Sequence, residues 1–397
     1  MIKHIIQNIF SVKNNNFHKI ITLFGIKIKF KINSKVLATY MEKQFSIINK
    51  SNATIMQRLN ECNKKLSYID KLNIERKIFW NTPGVWNFLG GNFKQYIIQN
   101  NMLDVINKLK NNLDNESQNL VDNLYERLIL FPNLEDYDCF IGDFKKVQEK
   151  YRLPEERLMK ESYSAEKDEY RQKYKFSTEY GFNGDVFYYH HGLRFSNNKI
   201  KEYIKNKDFI DGGAFIGDSA LILQEYNPKK IYSFELMKEF CSNYKTNMEL
   251  NNIPANRYEI LCNGISDKIS KTSISINSSF NQRQSLSNNG NVKVDLIDID
   301  SFANSKNLNV GFIKLDIEGA ERDALEGMIK TIQNNRPVLS IAIYHNPIQF
   351  FELKPRLEEI TKDLNYKFEI KKLEGNIYHP LIETVLFAYP SELSGEF

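Results

Sequence analysis

Residues 211–218, with the sequence DGGAFIGD, place two carboxylates and three glycines within eight positions. An apolar, strand-like run precedes them and a helix-like run follows, so the glycines fall at a turn where backbone can closely approach a ligand. A dinucleotide site of the G-x-G-x-x-G type that starts at Gly212 would need glycine where the chain has Ala214. The stretch therefore does not predict a pyrophosphate site, and it argues against a nicotinamide-dependent oxidoreductase.

The same pattern suits S-adenosylmethionine, which has no pyrophosphate. That cofactor needs a carboxylate to bind its methionine ammonium, and Asp211 meets this need. It also needs backbone that no side chain covers to bind its own carboxylate, and Gly213 provides it. Glu235 ends the next strand-like run, 24 residues after Asp211, where a carboxylate can accept protons from both ribose hydroxyls. The remaining cofactor contacts that we predict in this loop are Ala214, Gly217, Asp218 and Ser219.

Asp267 follows the third strand-like run, within the sequence NGISD. Its position would allow the carboxylate to accept a hydrogen bond from the adenine amino group. An aspartate in this context also commonly caps a turn. The sequence leaves both interpretations open, and we include Asp267 in the predicted cofactor site.

Three acids lie within six residues in the sequence DIEGAE, at Asp316, Glu318 and Glu321. Beside a sulfonium this density is more than helix capping requires, although Glu321 at a helix start would also stabilise the helix dipole. Lys314 precedes Asp316 on the same face of the strand and would pair with an acid or orient the substrate. We predict catalytic roles for Asp316 and Glu318 and a substrate contact for Lys314.

Methyl transfer to an alcohol requires alignment of the acceptor and removal of its proton. His345, in the sequence IYHNP at the end of the fifth strand-like run, is a third candidate base, and a purely structural role for it stays open. On a strand only one of His190 and His191 would face the cleft, and we expect it to be His191. Substrate contacts are predicted for His191, Lys314 and Tyr344. His191, His345 and the acids could together form a divalent-metal site, but their spacing is not diagnostic, and no metal is predicted.

Residues from about 186 to 389 resemble the FkbM-type family of S-adenosylmethionine-dependent methyltransferases. Six motifs carry the resemblance: FYYHHGLRF (187–195), DFIDGGAFIGDSA (208–220), IYSFE (231–235), CNGISD (262–267), FIKLDIEGAE (312–321) and SIAIYHNP (340–347). The resemblance implies a class I Rossmann-like fold and methylation of an oxygen, often a sugar hydroxyl. It leaves residues 1–180 unexplained.

The elements that would position these residues alternate between strand and helix after residue 186. Predicted strands cover 208–211, 231–235, 258–262, 312–316, 338–344, 366–371 and 383–389. Predicted helices cover 218–226, 237–251, 319–334 and 349–364. Such alternation predicts an α/β fold with a mostly parallel seven-stranded sheet, whose last two strands form an antiparallel hairpin, across a methyltransferase domain of residues 181–397. The polar residues 277–291 are interpreted as a loop that either lines a sugar site or is mobile.

Three further regions precede that domain. Residues 1–33 form a basic leader, with a helix over 2–10 and a strand pair, that either contacts an anionic membrane or pathway enzyme or packs on the body. Residues 34–74 contain a seven-residue apolar repeat over 41–73, interrupted by Asn52 and Asn73, which predicts a coiled coil and a homo-oligomer. An amphipathic helix folded back on the chain is the alternative. We interpret residues 75–180 as a helical accessory domain.

Charge and cysteine content narrow the function further. The net charge is +5, and residues 1–41 contain seven lysines and no acid, so the remainder carries about −2 and lacks the basic surface that nucleic acid requires. The four cysteines are scattered, which predicts reduced thiols. Because the sequence has neither an apolar run long enough to span a membrane nor a secretory cleavage pattern, we expect a cytoplasmic protein, at most at the inner membrane face. The family resemblance implies an O-methyltransferase that modifies a sugar of a bacterial surface polysaccharide, such as capsule or lipooligosaccharide. The alternative is a non-catalytic scaffold that keeps the fold.

Overall fold

The structure, a computed structural model, forms two compact units, Met1–Asn81 and Thr82–Phe397. It describes residues 10–15, 18–23, 26–31, 46, 93, 95–130, 149–150, 153–162, 165–180, 182–275, 285–286, 292–376 and 381–395.

The first unit contains an antiparallel sheet of three strands, β1 (Phe10–Asn15), β2 (His18–Leu23) and β3 (Ile26–Lys31). The predicted strand pair is present as β2 and β3, and β1 adds a third strand where the predicted helix would have ended. Residues 2–9 of that helix, and the predicted coiled coil apart from Ser46, lie outside the described residues. The homo-oligomer therefore stays a prediction.

The second unit alternates helices and strands over most of its length. Its elements in chain order are α1 (Met102–Lys110), α2 (Asn115–Leu130), α3 (Leu153–Ser162), α4 (Ala165–Lys173), α5 (Gly184–Phe187), α6 (Asn198–Ile204), β4 (Asp208–Gly212), α7 (Asp218–Leu223), β5 (Lys230–Phe234), α8 (Lys238–Leu250), β6 (Tyr258–Leu261), β7 (Gly264–Ile265), β8 (Ser270–Ser275), β9 (Ser285–Leu286), β10 (Val292–Ile297), α9 (Ile299–Lys306), β11 (Val310–Leu315), α10 (Glu321–Glu326), α11 (Ile329–Asn335), β12 (Val338–Ala342), α12 (Pro347–Ile360), β13 (Tyr366–Lys372) and β14 (Thr384–Pro390).

The central sheet has seven strands in the order β13-β14-β12-β11-β4-β5-β6. Six of them run in the same direction, and β14 runs antiparallel to both of its neighbours, β12 and β13. All seven predicted strands are present, and the class I Rossmann-like fold is confirmed. Strand order reverses between β4 and β11, so the carboxyl ends of these two strands open a crevice for a ligand.

Strands β4, β11, β12 and β14 are buried along their whole length, because helices cover both faces of the sheet. One face packs Phe209 and Phe312 together, with ring centroids 5.4 Å apart. The other face packs Ile210 and Ile313 into a separate apolar cluster with α12. The continuous apolar runs of these strands thus determine a rigid platform under the crevice.

A second sheet of four strands, in the order β7-β10-β8-β9, was not predicted from the sequence. Strand β8 has the sequence SKTSIS, whose polar residues do not stand out as a strand. Within the predicted polar loop the structure describes residues 285–286, which form β9, and the rest of the loop lies outside the described residues.

Helices α1 and α2 of the predicted accessory domain pack directly on the central sheet and α12. Leu109, Val121 and Leu124 belong to the same apolar cluster as the sheet residues Ile313 and Leu339. Within the described residues, this part of the accessory region therefore shares its core with the methyltransferase domain and does not form a separate body.

Cys241, in α8, and Cys262, directly after β6, form a disulfide. The prediction of four reduced cysteines is therefore wrong for this pair. Scattered spacing did not reveal the pair because parallel strands bring the end of β6 beside the start of α8. Among the described residues, no helix combines the length and apolar character needed to cross a bilayer.

Candidate active site

A cavity of about 540 Å³ opens at the carboxyl edge of the central sheet. Its floor follows the strand order, from Glu235 after β5, through Gly213 after β4, to Asp316 after β11 and Tyr344 after β12. This size is within the range of about 300–1,000 Å³ that is usual for small-molecule sites. Among the described residues that line it, Lys314 is the one lysine or arginine, and it is accompanied by seven aspartates and glutamates.

Two glycines fix the turn between β4 and α7. Gly213 has a φ of 76°, and a Cβ at this position would overlap the carbonyl oxygen of Asp316. Gly217 has a φ of 90°, and a Cβ there would come within 2.8 Å of Met248 and 2.9 Å of Tyr244. Gly213 is thus required where the two strand ends meet under the cavity. Gly217 is required for packing of α7 against α8, and it does not line the cavity, in contrast to its predicted role as a cofactor contact.

The side chain of Lys314 stabilises the glycine turn between β4 and α7. Its ammonium donates hydrogen bonds to the carbonyl oxygens of Gly212, at 3.1 Å, and Gly213, at 2.7 Å, and lies 3.3 Å from Asp211 Oδ1. Burial disfavours this charge, but the carboxylates of Asp211, Asp316 and Asp218 raise the pKa of Lys314. Lys314 therefore carries a charge on the cavity wall, and its three acceptors belong to the protein.

The position of Asp211 corrects the prediction made for it. Its side chain is fully buried, does not line the cavity, and accepts a hydrogen bond from Ser233 at 3.1 Å. The ammonium beside it is that of Lys314, so Asp211 acts on the cavity through Lys314 and not by direct contact with a ligand. Ala214 is also buried away from the cavity, and its amide donates to the carbonyl of Phe234.

Glu235 lines the cavity directly after β5, and backbone amides hold its carboxylate. One oxygen accepts the amide of Phe215 at 3.0 Å, and the other accepts the amide of Met237 at 2.8 Å. Burial raises the pKa of Glu235, while these two amides oppose the increase. Each carboxylate oxygen retains a second lone pair, so the group is fixed in orientation and can still accept two hydroxyl protons.

The cavity beyond Glu235 is apolar, with Leu236, Phe240 and Ile265 on its walls. Asn263 supplies a polar side chain at this end. Asp267 lies outside the lining; its half-exposed carboxylate is 3.7 Å from Lys268 and accepts from the Ser266 hydroxyl at 3.2 Å. The geometry therefore favours the turn-capping interpretation of Asp267 over adenine binding, and Asn263 is the better-placed polar group.

His191 reaches the cavity through a left-handed turn, with a φ of 53°, and its Nε2 lies 2.9 Å from Ser219 Oγ. His190 turns away and contacts Tyr170 and Tyr226 at 3.1 and 2.8 Å. Of the two histidines, His191 is the one that lines the cavity, but the backbone here is a tight 3₁₀ turn and not a strand. Burial, with Lys314 and His190 nearby, holds the pKa of His191 well below its usual range, so its imidazole is neutral.

Asp218 shares this wall and accepts hydrogen bonds from the hydroxyl of Tyr180, at 2.5 Å, and the amide of Ser219, at 2.8 Å. Burial raises the pKa of Asp218, and these two donors partly counter the increase. Both Asp218 and Ser219 line the cavity, and their contact with the cofactor stays a prediction.

The opposite end of the cavity is rich in carboxylates. The Tyr344 hydroxyl lies between two of them, 3.4 Å from Asp316 Oδ1 and 3.2 Å from Glu383 Oε1. Asp185 lines the same end and is buried. Burial together with Glu374, Asp316 and Asp218 raises the pKa of Asp185 well above its usual range, and burial together with Asp185 does the same for Glu383.

His345 lies behind these acids, in contact with three carboxylates. Its Nδ1 is 3.1 Å from Glu321 Oε1, and its Nε2 is 3.4 Å from Asp316 Oδ1 and 3.6 Å from Glu318 Oε2. Burial opposes the charged imidazolium, but Glu321, Asp316 and Glu318 together raise the pKa of His345 to about 9. Without another cation His345 is protonated at neutral pH, which makes it a poor general base in contrast to the prediction.

Glu321 organises the loop between β11 and α10. Its fully buried carboxylate accepts the amides of Ile317 at 2.8 Å and Gly319 at 3.1 Å, and the side-chain amide of Gln349. Glu321 therefore fixes the conformation of this loop, which is more than the stabilisation of a helix dipole. The loop carries Asp316 and Glu318 to the cavity wall as a result.

Comparison with known families addresses which chemistry this cavity serves. Residues 211–368 match the family model described as the methyltransferase FkbM domain. This region is an FkbM methyltransferase domain. It contains the glycine turn, Glu235, Lys314, the DIEGAE acids and His345, so the family that the sequence resembles is confirmed for this part of the chain.

Solved structures similar to this chain are distant. A methyltransferase FkbM from Methylobacillus flagellatus KT shares 17% identity, with a TM-score of 0.48; the match covers 75% of this chain and 61% of that one. A putative methyltransferase from Streptococcus mutans, in complex with SAH, shares 12% identity over 49% of this chain and 95% of its own, with a TM-score of 0.31. An rRNA methylase from Streptococcus thermophilus shares 10% identity over 53% and 98%, also with a TM-score of 0.31. No curated protein matches this chain.

Sequence reasoning missed two acidic groups in the cavity, Asp185 and Glu383. Asp185 and Glu383 lie outside residues 211–368, one before the first strand of the sheet and one before the last. In the sequence both resemble ordinary turn residues, NGD and IET. The signal that was available is position: Glu383 precedes an antiparallel strand, whose start lies at the same edge as the carboxyl ends of the parallel strands.

Proposed function

We propose that this protein is an S-adenosylmethionine-dependent O-methyltransferase that methylates a sugar hydroxyl in a bacterial surface polysaccharide. The observation that carries the proposal is the division of one cavity into two ends. Glu235, fixed by two backbone amides, separates an apolar end from an end lined by carboxylates. A nucleoside fits the first end, and a polyhydroxylated acceptor fits the second.

The residues present fit the cofactor. Glu235 would accept protons from the ribose hydroxyls, Phe240 and Ile265 would pack on the adenine, and Asn263 can donate to it or accept from it. The charged ammonium of Lys314 on the cavity wall would attract the amino-acid carboxylate. The cofactor supplies a methyl group on a sulfonium, whose positive charge suits a cavity with an excess of carboxylates.

The acceptor end favours a neutral, hydroxyl-rich molecule. Asp185, Asp316 and Glu383 offer hydrogen-bond acceptors to hydroxyl groups, and Tyr344 fixes two of these carboxylates in place. Phosphate groups would be repelled here, because the described lining of the cavity has seven aspartates and glutamates and a single ammonium, that of Lys314. Nucleic acid is therefore a poor substrate, and the phosphates of an activated sugar would have to remain outside the cavity.

Proton removal is assigned to Asp185. A buried carboxylate whose pKa is raised is well matched to accept a proton near neutral pH. The cofactor would supply the methyl group, whose bond to sulfur would break with its electron pair on sulfur as the acceptor oxygen bonds to the methyl carbon. Asp185 would accept the hydroxyl proton. Asp316, the base candidate predicted from sequence, lies at the same end and is the second choice.

Calorimetry with S-adenosylmethionine, S-adenosylhomocysteine and NAD tests the cofactor assignment. We expect one site per chain for the first two ligands and no binding of NAD. Binding of NAD alone, or of none of the three, would overturn the proposal.

Transfer of a labelled methyl group to a panel of oligosaccharides, nucleotide sugars and RNA tests the acceptor class. We expect label in the sugars as an alkali-stable ether. Alkali-labile label would indicate a carboxylate acceptor, and label in RNA would refute the sugar assignment. A chain that binds the cofactor but labels none of a capsule or lipooligosaccharide extract would support the non-catalytic scaffold instead.

A further inference from the structure

Asp316, Glu321 and His345 form a compact cluster behind the acceptor end of the cavity. One potential ligand atom from each lies within 4.8 Å of the others. They come from three separate places in the chain: the end of β11, the start of α10 and the residues after β12. The fold therefore converges on this point from two neighbouring strands.

The imidazole of His345 is unusual because it lacks hydrogen bonds. Only 8% of its side chain is exposed, yet neither ring nitrogen has a hydrogen-bond partner of acceptable geometry, although three carboxylates surround it. Buried polar groups in proteins nearly always have such partners. The side-chain amide nitrogen of Gln349 donates to Glu321, and the amide oxygen, Oε1, is likewise buried without a hydrogen-bond partner. A buried ring that is directed at carboxylates but not hydrogen-bonded to them suits an ion between the groups.

The spacing agrees with this idea. Two ligands that each lie about 2.1 Å from one metal, at angles of roughly 90–110°, are separated by about 3.0–3.4 Å. His345 Nε2 lies 3.4 Å from Asp316 Oδ1, and Glu318 Oε2 lies 3.6 Å from the same nitrogen. Glu321 faces the other ring nitrogen, as the carboxylate behind a metal-bound histidine commonly does.

We propose that His345 Nε2 and the carboxylate of Asp316 bind a divalent cation, with Glu318 as a further ligand and Glu321 holding the imidazole from behind. Carboxylates with one imidazole favour Mg²⁺ or Mn²⁺ over softer metals. Asp316 and Glu318 line the cavity, so open positions on the ion face the acceptor end.

At this place the ion would bind the acceptor oxygen and lower the pKa of its hydroxyl, and neighbouring sugar hydroxyls would complete the coordination. That role rests on the proposed function, whereas cation binding itself does not. The competing occupant of the cluster is a proton on His345, which would leave no affinity for a metal.

Mn²⁺ titration of the full chain after EDTA dialysis, followed by electron paramagnetic resonance, tests the proposal. We expect one tightly bound Mn²⁺ per chain, which excess Mg²⁺ displaces. Asp316→Asn and His345→Gln should each weaken Mn²⁺ binding at least tenfold. Asp323→Asn is the matched control: it removes the same charge from an exposed residue of the same cavity and should leave Mn²⁺ affinity unchanged.

Binding of S-adenosylhomocysteine, measured without metal, shows which variants are folded. If His345→Gln fails to fold, electron spin echo modulation from a ligand nitrogen in the wild-type Mn²⁺ complex detects the imidazole directly. A chain that binds S-adenosylhomocysteine but no Mn²⁺, Mg²⁺ or Zn²⁺ would overturn the metal site alone. The metal site would also be overturned if the bound Mn²⁺ shows no nitrogen coupling and both substitutions leave Mn²⁺ affinity unchanged. Failure to bind S-adenosylhomocysteine would instead count against the proposed function.

Discussion

Replacement of Lys314 by Met should destabilise the fold and weaken the cofactor site together. The variant keeps the apolar stem but removes the ammonium that donates to Gly212 and Gly213 and lies 3.3 Å from Asp211. Asp211 is completely buried, and Ser233 remains as its hydrogen-bond donor. The substitution thus leaves a buried carboxylate without its counter-charge and releases the glycine turn.

The expected magnitude follows from this geometry. Removing one partner of a buried ion pair typically costs about 3–5 kcal/mol. At about 2 °C per kcal/mol, suited to a large domain, the melting temperature should fall by about 6–10 °C. Loss of the positive charge on the cavity wall should weaken S-adenosylhomocysteine roughly 10–100-fold, since a hydrogen bond to a charged group contributes about 1.5–3 kcal/mol.

Thermal unfolding and calorimetry of three variants would check these values. Lys354→Met is the matched control, because Lys354 is equally buried but pairs with Glu358 in α12, away from the cavity. It should lower the melting temperature and leave S-adenosylhomocysteine affinity unchanged. The double variant Asp211→Asn with Lys314→Met should regain part of the lost stability. A Lys314→Met protein that melts like wild type, or a Lys354→Met protein that loses affinity equally, would refute the reasoning.

Three further substitutions address other parts of the site. Glu235→Gln should reduce S-adenosylhomocysteine affinity at least tenfold with little change in melting temperature, as calorimetry and thermal unfolding would show; unchanged affinity removes Glu235 from the site. Asp185→Asn should slow methyl transfer about 10²–10⁴-fold at normal cofactor affinity, and the wild-type rate should rise with pH as this carboxylate ionises; near-native turnover would assign the base elsewhere. Burial and nearby cations lower the pKa of His190 to about 3, so the folded state binds fewer protons than the unfolded state between about pH 3 and 6.5, and stability falls as pH decreases through that range. From pH 7 to pH 5 this group should cost about 2 kcal/mol, which urea unfolding of His190→Gln should recover in part, whereas an unchanged pH dependence would refute a neutral buried His190.

The sequence by itself determined the sheet and the residues at its edge. Apolar runs of four to seven residues, separated by helical periodicity, leave few alternatives to a parallel sheet, and its ligand edge follows from strand direction. The glycine turn, Glu235, Asp316 and His345 could therefore be placed at one site from the order of strands alone. The family resemblance narrowed the chemistry that this edge performs.

Contacts between distant segments were decided only by the tertiary structure. Alternation along β11 places Lys314 and Asp316 on one face of the strand. It does not reveal that the ammonium of Lys314 lies beside Asp211, the carboxylate that was expected to bind the cofactor ammonium. Asp185 and Glu383 are far apart in sequence. They line the same cavity because α5 and the start of β14 lie at the same edge of the sheet. The protonation of His345 depends on three carboxylates within 4 Å, a sum of Coulomb interactions and desolvation that exists only once the chain has folded.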